Sequence, residues 1–149
     1  MASYFVDTSA FVKRYHIEIG SDRVAALFDQ PENHIFISRL TLVETRSAFA
    51  VKVRTGSIDE TTAAALWIQI LADIASESFE VLPILDVHYQ LAEALIGRHT
   101  RNPLRTLDAL QLAVALSRSE QAVLDGFVLA DQSLSKVALA EKLAVALAA

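Results

Sequence analysis

Short apolar runs alternate along this chain with longer segments of helical periodicity. Four runs rich in β-branched and aromatic residues predict strands, because each is bounded by polar or turn-forming residues. They are SYFVD, HIFIS, FEVLPI and GFVLAD, which begin at Ser3, His34, Phe79 and Gly126. Between them, apolar residues recur at the spacing of amphipathic helices. These helical segments span residues 21–30, 38–56, 57–78, 86–99 and 104–120.

Several residues mark where these helices begin and end. Ser21 and Ser38 stand at the expected N-caps of their segments, and Gly56 is a C-cap signal. Thr8 or Ser9 is expected to cap a helix directly after the first strand. The last segment, 132–149, begins as a helix, and its final residues fit either a short edge strand or more helix. Strands that alternate with helices predict an α/β fold with a parallel sheet and helices on both faces.

Length and composition narrow the class of protein. The 149 residues suit one domain, and 53% of them are hydrophobic. A membrane span needs about 18 consecutive apolar residues, and no run here approaches that length. The longest apolar stretch, ALQLAVAL, carries Gln111. The N-terminus lacks the basic region of a signal peptide, so we expect a cytoplasmic protein with no membrane association. With no cysteine, disulfides and thiolate metal sites are excluded.

The net charge of −5 argues against a general nucleic-acid binder, but basic residues are clustered. Arg98, Arg101 and Arg105 lie close together in the sequence, and Lys13 and Arg14 follow the first strand. Two interpretations stay open for these five residues. They form either a solvated face or contacts to an RNA backbone.

Two carboxylates end predicted strands. Asp7 ends the first strand and Asp131 ends the fourth, and each is followed by a hydroxyl within two residues. Sheets of this kind bind ligands beyond the carboxyl ends of their strands. Asp125 is a rival for Asp131, but it precedes Gly126 and is typical of a turn before the strand.

Two further carboxylates lie in apolar helices. Glu44 fits a capping box that begins at Thr41, although Ser38 already supplies a cap and would place Glu44 in the second turn. Asp108 belongs to a helix that is apolar nearly all round, where an unpaired Asp is rare. The alternative for Asp108 is a first-turn carboxylate favoured by the helix dipole, with Thr106 as the cap.

Four converging carboxylates would be costly without a cation. Two unit charges about 4 Å apart repel by roughly 4 kcal/mol at an effective dielectric near 20. A divalent cation reverses this balance, and oxygen ligands favour hard ions such as Mg²⁺ or Mn²⁺. One or two such ions suit the hydrolysis of phosphodiester bonds.

Four motifs together resemble a known family. In order, they are YFVDTSAF, LTLVETRSAF, LRTLDALQLAVAL and FVLADQSLSKVA. This chain resembles PIN-domain proteins over nearly its whole length, and in particular VapC-type toxins of toxin–antitoxin pairs. The resemblance implies a single PIN domain over residues 1–149. It implies a three-layer α/β/α fold, with helices around a parallel sheet of four to five strands.

The resemblance also implies an activity and a site. It implies an endoribonuclease that uses one or two Mg²⁺ or Mn²⁺ ions. The catalytic and metal-binding acids would be Asp7, Glu44, Asp108 and Asp131, supported by the hydroxyls of Thr8, Ser9 and Thr106. Gln132 departs from the pattern, because many relatives carry a basic residue there. The implied partners are RNA, a second copy of the chain, and a small antitoxin whose C-terminal segment blocks the site.

The apolar segment TTAAALWIQILADI, residues 61–74, offers a surface for those partners. Part of it suits a homodimer contact and part an amphipathic helix of the antitoxin. We expect the antitoxin to place an Arg or Lys near Asp7 and Asp108.

Three alternatives remain at this point. A non-catalytic PIN-fold scaffold or RNA-binding module would normally have lost one or more of the acids. A receiver domain needs an acid pair at the first strand and a phosphoacceptor Asp at the end of the third, and neither is present. A haloacid-dehalogenase-like phosphatase needs a second Asp two residues after the first, where Ser9 stands.

Overall fold

The computed structural model describes all residues, 1–149, and contains five strands and seven helices. The strands are β1 (Ser3–Val6), β2 (His34–Ser38), β3 (Glu80–Leu82), β4 (Gly126–Leu129) and β5 (Val145–Leu147). The helices are α1 (Thr8–Tyr15), α2 (Ser21–Phe28), α3 (Arg39–Arg54), α4 (Glu60–Ala75), α5 (Asp86–Arg98), α6 (Thr106–Gln121) and α7 (Gln132–Ala140). Of the two structures considered for the final residues, the short edge strand is the one that forms, after α7.

The strands form one parallel sheet in the order β3-β2-β1-β4-β5. The chain runs outward from β1 to one edge and then crosses back to β4 on the other side of β1. The strand order therefore reverses between β1 and β4, which is where open α/β sheets bind ligands. Asp7 and Asp131 follow these two neighbouring strands.

Two hydrophobic cores cover the two faces of the sheet. Alternate residues of one strand point to opposite faces, so Phe5 and Val6 belong to different cores. One core joins Phe5 and Phe127 to residues of α5, α6 and α7. The other joins Val6 and Val128 to residues of α1, α2, α3 and α4. The predicted three-layer α/β/α fold is confirmed.

The carboxylates rather than the hydroxyls cap the helices at the sheet edge. Asp7 is the N-cap of α1, where Thr8 or Ser9 was expected, and Asp131 is the N-cap of α7. The expected cap at Ser21 is also wrong, and so is the cap at Thr106 in the alternative interpretation of Asp108, because both residues are the first of their helices. At α2, the N-cap is Gly20 with a φ of 94°, and a Cβ there would lie 2.0 Å from the carbonyl oxygen of Ala148. Close packing against the C-terminal segment therefore requires glycine at that cap.

Both ends of α3 agree with the prediction, since Ser38 is its N-cap. Gly56, with a φ of 80°, follows the end of α3 as the C-cap signal indicated. None of the seven helices is long and apolar enough to cross a membrane.

Candidate active site

Asp7 and Asp131 each use one carboxylate oxygen as a helix cap. Oδ2 of Asp7 accepts from the backbone N–H of Ser9 at 3.1 Å and from its hydroxyl at 2.6 Å. Oδ1 of Asp131 accepts from the backbone N–H groups of Ser133 and Leu134 at 2.8 and 3.3 Å. In both residues the second oxygen accepts no hydrogen bond from the helix it caps. The caps therefore fix both carboxylates at the carboxyl edge of the sheet and leave one oxygen of each for other contacts.

Ser9 connects these two strand ends. Its hydroxyl donates to Asp7 and accepts from the backbone N–H of Ala130 at 3.0 Å. The loop that carries Asp131 is therefore joined to Asp7 by a single side chain. This contact positions the two strand ends relative to each other.

Glu44 reaches the site from the second turn of α3. The helix begins at Arg39, so the capping-box interpretation with Thr41 is wrong. Oε1 of Glu44 accepts from the hydroxyl of Thr8 at 2.8 Å and from the side-chain amide of Gln111 at 3.1 Å. Glu44 is thus held by two uncharged donors and makes no ion pair.

Asp108 lies in the first turn of α6 and is half-buried. Nε of Arg105 donates to its Oδ2 at 3.2 Å, and Nη2 of Arg105 lies 3.8 Å from Oδ2 of Asp131. Arg105 therefore bridges two of the four acids. Its side chain remains 78% exposed, so this bridge is accessible to competing charges.

Burial raises the pKa of two of the four acids, Asp7 and Asp108. Asp7 is 5% exposed, and loss of solvation raises its pKa to about 6, against the hydrogen bonds from Ser9 and with smaller contributions from Asp108 and Glu44. Burial also raises the pKa of Asp108, although Arg105 opposes the rise. No cation pairs with Asp7. An unpaired, buried carboxylate of this kind is common at functional sites.

The donor set fits a hard divalent cation in its chemistry, because all four side chains offer carboxylate oxygens. As the side chains lie here, no three acidic or histidine side chains are grouped closely enough to hold an ion between them. Arg105 supplies the positive charge beside Asp108 and Asp131 instead. The acids therefore share one edge of the sheet, while direct convergence on a common point is absent.

Comparison with known families identifies the fold. The family model described as the PIN domain matches residues 4–143. The chain belongs to the PIN domain family. Among curated proteins, no match is found.

Solved structures share the architecture of this PIN domain. VapC20 of Mycobacterium tuberculosis, a sarcin–ricin loop cleaving toxin, has 19% identity and a TM-score of 0.67, over 89% of this chain and 93% of that one. FitAB bound to a DNA fragment has 17% identity and a TM-score of 0.69, over 97% and 94%. VapBC2 of Rickettsia felis, bound to promoter DNA, has 16% identity and a TM-score of 0.63, over 97% of each chain. At these identities, the likeness demonstrates a shared fold.

The fold removes one alternative interpretation. In a receiver domain the first strand lies between the second and the third. In this PIN domain β1 lies between β2 and β4, so the receiver domain is excluded.

Asp125 lies away from the four acids. Its carboxylate accepts from the backbone N–H of Ser3, at the start of β1 and therefore at the opposite edge of the sheet.

Of the five basic residues predicted to contact RNA, only Arg105 lies against the acids. Arg98 pairs with Glu141 at 2.7 Å, Lys13 with Glu18 at 3.5 Å and Arg14 with Asp29 at 3.0 Å. Arg101 is exposed and makes no ion pair. Thr106 lines the same pocket as Glu44, Arg105 and Asp108, but no hydrogen bond joins its hydroxyl to an acid.

Sequence reasoning missed one residue of the site, Gln111. It was noted only as an interruption of the most apolar segment. The structure buries it completely and bonds it to Thr8 and Glu44. A polar residue three positions after Asp108, inside an otherwise apolar helix, was the available signal.

Proposed function

We propose that this PIN domain is a metal-dependent endoribonuclease that acts as the toxin of a VapBC-type pair. The observation that carries the proposal is the set of carboxylates where the strand order reverses. Asp7 is buried there without a cation, Asp108 and Glu44 lie near enough to raise its pKa further, and Arg105 joins Asp108 to Asp131. Such a set destabilises the protein unless a cation or a substrate bound through one compensates the charge.

Asp7, Glu44, Asp108 and Asp131 would hold one or two Mg²⁺ or Mn²⁺ ions. When bound, such an ion lowers the pKa of water and stabilises the leaving oxygen of a phosphodiester. The protein contributes orientation: Ser9 fixes Asp7, and Thr8 fixes Glu44. Because the pKa of Asp7 is about 6, this side chain is charged and able to bind a cation at neutral pH.

RNA would approach across Arg105, the exposed basic residue beside the acids. Arg105 is the best placed to meet a phosphate, since its guanidinium is exposed and its present partners are the acids themselves. Arg101 is free to add a second contact. Arg98, Lys13 and Arg14 would first have to leave the ion pairs described above, which makes them weaker candidates.

The toxin role rests on family membership and on the likeness to VapC20 and VapBC2. An inhibitory partner also suits the surface of α4, which buries only Ile70 fully and exposes Ile68 and Leu71. We propose that this face is covered by a small antitoxin, a second copy of the chain, or both. A basic side chain of the antitoxin would then compete with Arg105 for the acids.

The test is the cleavage of single-stranded RNA by the purified protein with Mg²⁺, with Mn²⁺ or with EDTA. Asp7→Asn, Glu44→Gln, Asp108→Asn and Asp131→Asn should each lower cleavage by several orders of magnitude while the circular dichroism spectrum stays native. Asp125→Asn is the matched control and should stay within a few fold of wild type, because its carboxylate lies at the other edge of the sheet.

Two results would contradict the proposal. Full activity in EDTA would exclude the metal. No cleavage by the wild-type protein with either ion, together with RNA binding, would favour the non-catalytic RNA-binding module.

A further inference from the structure

Gln111 is a buried polar side chain that bonds to four others. It is 1% exposed, within an α6 segment of buried Ala, Leu and Val residues. Its Oε1 accepts from the hydroxyl of Ser38 at 2.7 Å. Its Nε2 lies 2.7 Å from Oγ1 of Thr41, 3.0 Å from Oγ1 of Thr8 and 3.1 Å from Oε1 of Glu44. An amide in so apolar a helix is costly unless its polar groups are bonded. Here the two N–H groups of Nε2 serve three acceptors, so one N–H is shared, and Oε1 accepts from Ser38.

The hydrogen-bonding chemistry of Glu44 determines the orientation of the Gln111 amide. A carboxylate only accepts, so the group of Gln111 that faces Glu44 must be the NH₂. The opposite orientation would place the amide oxygen against the oxygen of Glu44. The hydroxyl of Ser38 then donates to the amide oxygen. Ser38 therefore orients the amide of Gln111, and Gln111 and Thr8 together orient the carboxylate of Glu44.

The same side chain joins the elements that carry the acids. Gln111 lies three residues after Asp108, so both side chains lie on one face of α6. Through Ser38 and Thr41 it joins α6 to the junction of β2 and α3, and through Thr8 it joins α6 to the start of α1. Three of the four acids are therefore on elements that meet at this one amide.

We infer that Gln111 is a positioning residue of the metal site, which orients Glu44 toward the ion and fixes α6 relative to α3 and α1. The inference rests on the proposed metal-dependent function. Residues that orient metal ligands typically cost 10–100-fold in metal affinity or activity when they are replaced, and we expect a loss of about that size here.

The experiment measures the Mn²⁺ dissociation constant by electron paramagnetic resonance of free Mn²⁺. Gln111→Met keeps the length of the side chain and removes both hydrogen-bonding groups. It should weaken Mn²⁺ binding about 10–100-fold and lower kcat while the KM for RNA changes little. Gln30→Met is the matched control, because Gln30 is exposed and lies just before β2, at the opposite edge of the sheet from the acids, and it should match wild type.

A second variant separates positioning from stability. Gln111→Met removes the 2.7 Å acceptor of the Ser38 hydroxyl and leaves it only the 3.5 Å contact with Oγ1 of Thr41, which lowers the melting temperature for a purely structural reason. Ser38→Ala combined with Gln111→Met removes that stranded hydroxyl. We expect the double variant to regain part of the melting temperature and none of the Mn²⁺ affinity.

Different outcomes test the positioning role of Gln111 and the proposed metal-dependent function. The role of Gln111 is overturned if Gln111→Met binds Mn²⁺ within two- to three-fold of wild type. If the single variant does not fold, the double variant is measured against the same limit. Recovery of affinity together with stability in the double variant shows a structural role only. Failure of the wild-type protein to bind Mn²⁺ overturns the proposed metal-dependent function instead.

Discussion

Replacing Asp7 by Asn should stabilise the metal-free protein at neutral and alkaline pH. Asp7 is buried without a cationic partner, and this burial raises its pKa from 3.8 to about 6. Asn is nearly identical in shape and cannot ionise. Its side-chain oxygen still accepts from the backbone N–H of Ser9, so the cap of α1 is kept.

The expected size follows from the pKa. An acid whose pKa is higher in the folded state binds its proton more tightly there, so stability is lost as pH rises from about 4 to about 6 and stays lower above that range. At about 1.4 kcal/mol per pH unit, the rise from 3.8 to about 6 corresponds to about 3 kcal/mol. This is an upper limit for the gain in Asp7→Asn, equivalent to roughly 6–12 °C in melting temperature for a chain of this size. Near pH 4 the two proteins should be equally stable.

The assay is urea unfolding of both proteins in EDTA between pH 4 and pH 8. Asp125→Asn, which changes an exposed carboxylate, controls for the loss of a negative charge and should show no such gain. Saturating Mg²⁺ should then stabilise the wild type, because only the folded site binds the ion. It should leave the stability of Asp7→Asn unchanged, because that variant lacks a proposed ligand. The reasoning is refuted if Asp7→Asn is no more stable than wild type at pH 8, or if its advantage is the same at pH 4.

Two further predictions concern the ligands of the site. Arg101→Ala and Arg105→Ala should each weaken RNA binding about uniformly across sequences and lower the dependence of log K on log salt by about one. If filter binding shows an unchanged salt dependence, these arginines form a solvated face. Co-expression with the neighbouring reading frame should give a complex that purifies together and cleaves RNA poorly. A neighbour that does not co-purify, or that leaves cleavage intact, contradicts the toxin–antitoxin role but not the nuclease.

The strands and the acids that end them were predictable because their signals are local. A short apolar run followed by an Asp identifies a strand and its end without knowledge of the rest of the chain. Parallel pairing then brings Asp7 and Asp131 to one edge. Helix starts were less predictable, because the choice between adjacent polar residues depends on backbone geometry. At α2 the start is decided by Ala148, far away in the sequence, whose carbonyl leaves no room for a side chain at Gly20.

The contacts that tune the acids were not predictable, since they join residues far apart in the sequence. Gln111 lies 67 positions from Glu44 and 103 from Thr8. An apolar helical pattern explains most of α6 and gives no reason to expect a buried amide network at its centre. The role expected of Arg105 was contact with RNA, whereas the structure pairs it with Asp108 and Asp131.

The four acids are compensated in three different ways, and the differences indicate where a cation is needed. Arg105 offsets Asp108 and Asp131, but an ion pair this exposed contributes at most about 1 kcal/mol and is readily displaced. Glu44 is stabilised by the uncharged donors Thr8 and Gln111, which carry no positive charge that a cation would repel. Asp7 has only Ser9 and remains the one acid whose charge is both buried and unpaired. A divalent ion beside Asp7 would therefore be stabilised most by that carboxylate. It would displace Arg105 at little cost in free energy, and the guanidinium of Arg105 could then bind a phosphate.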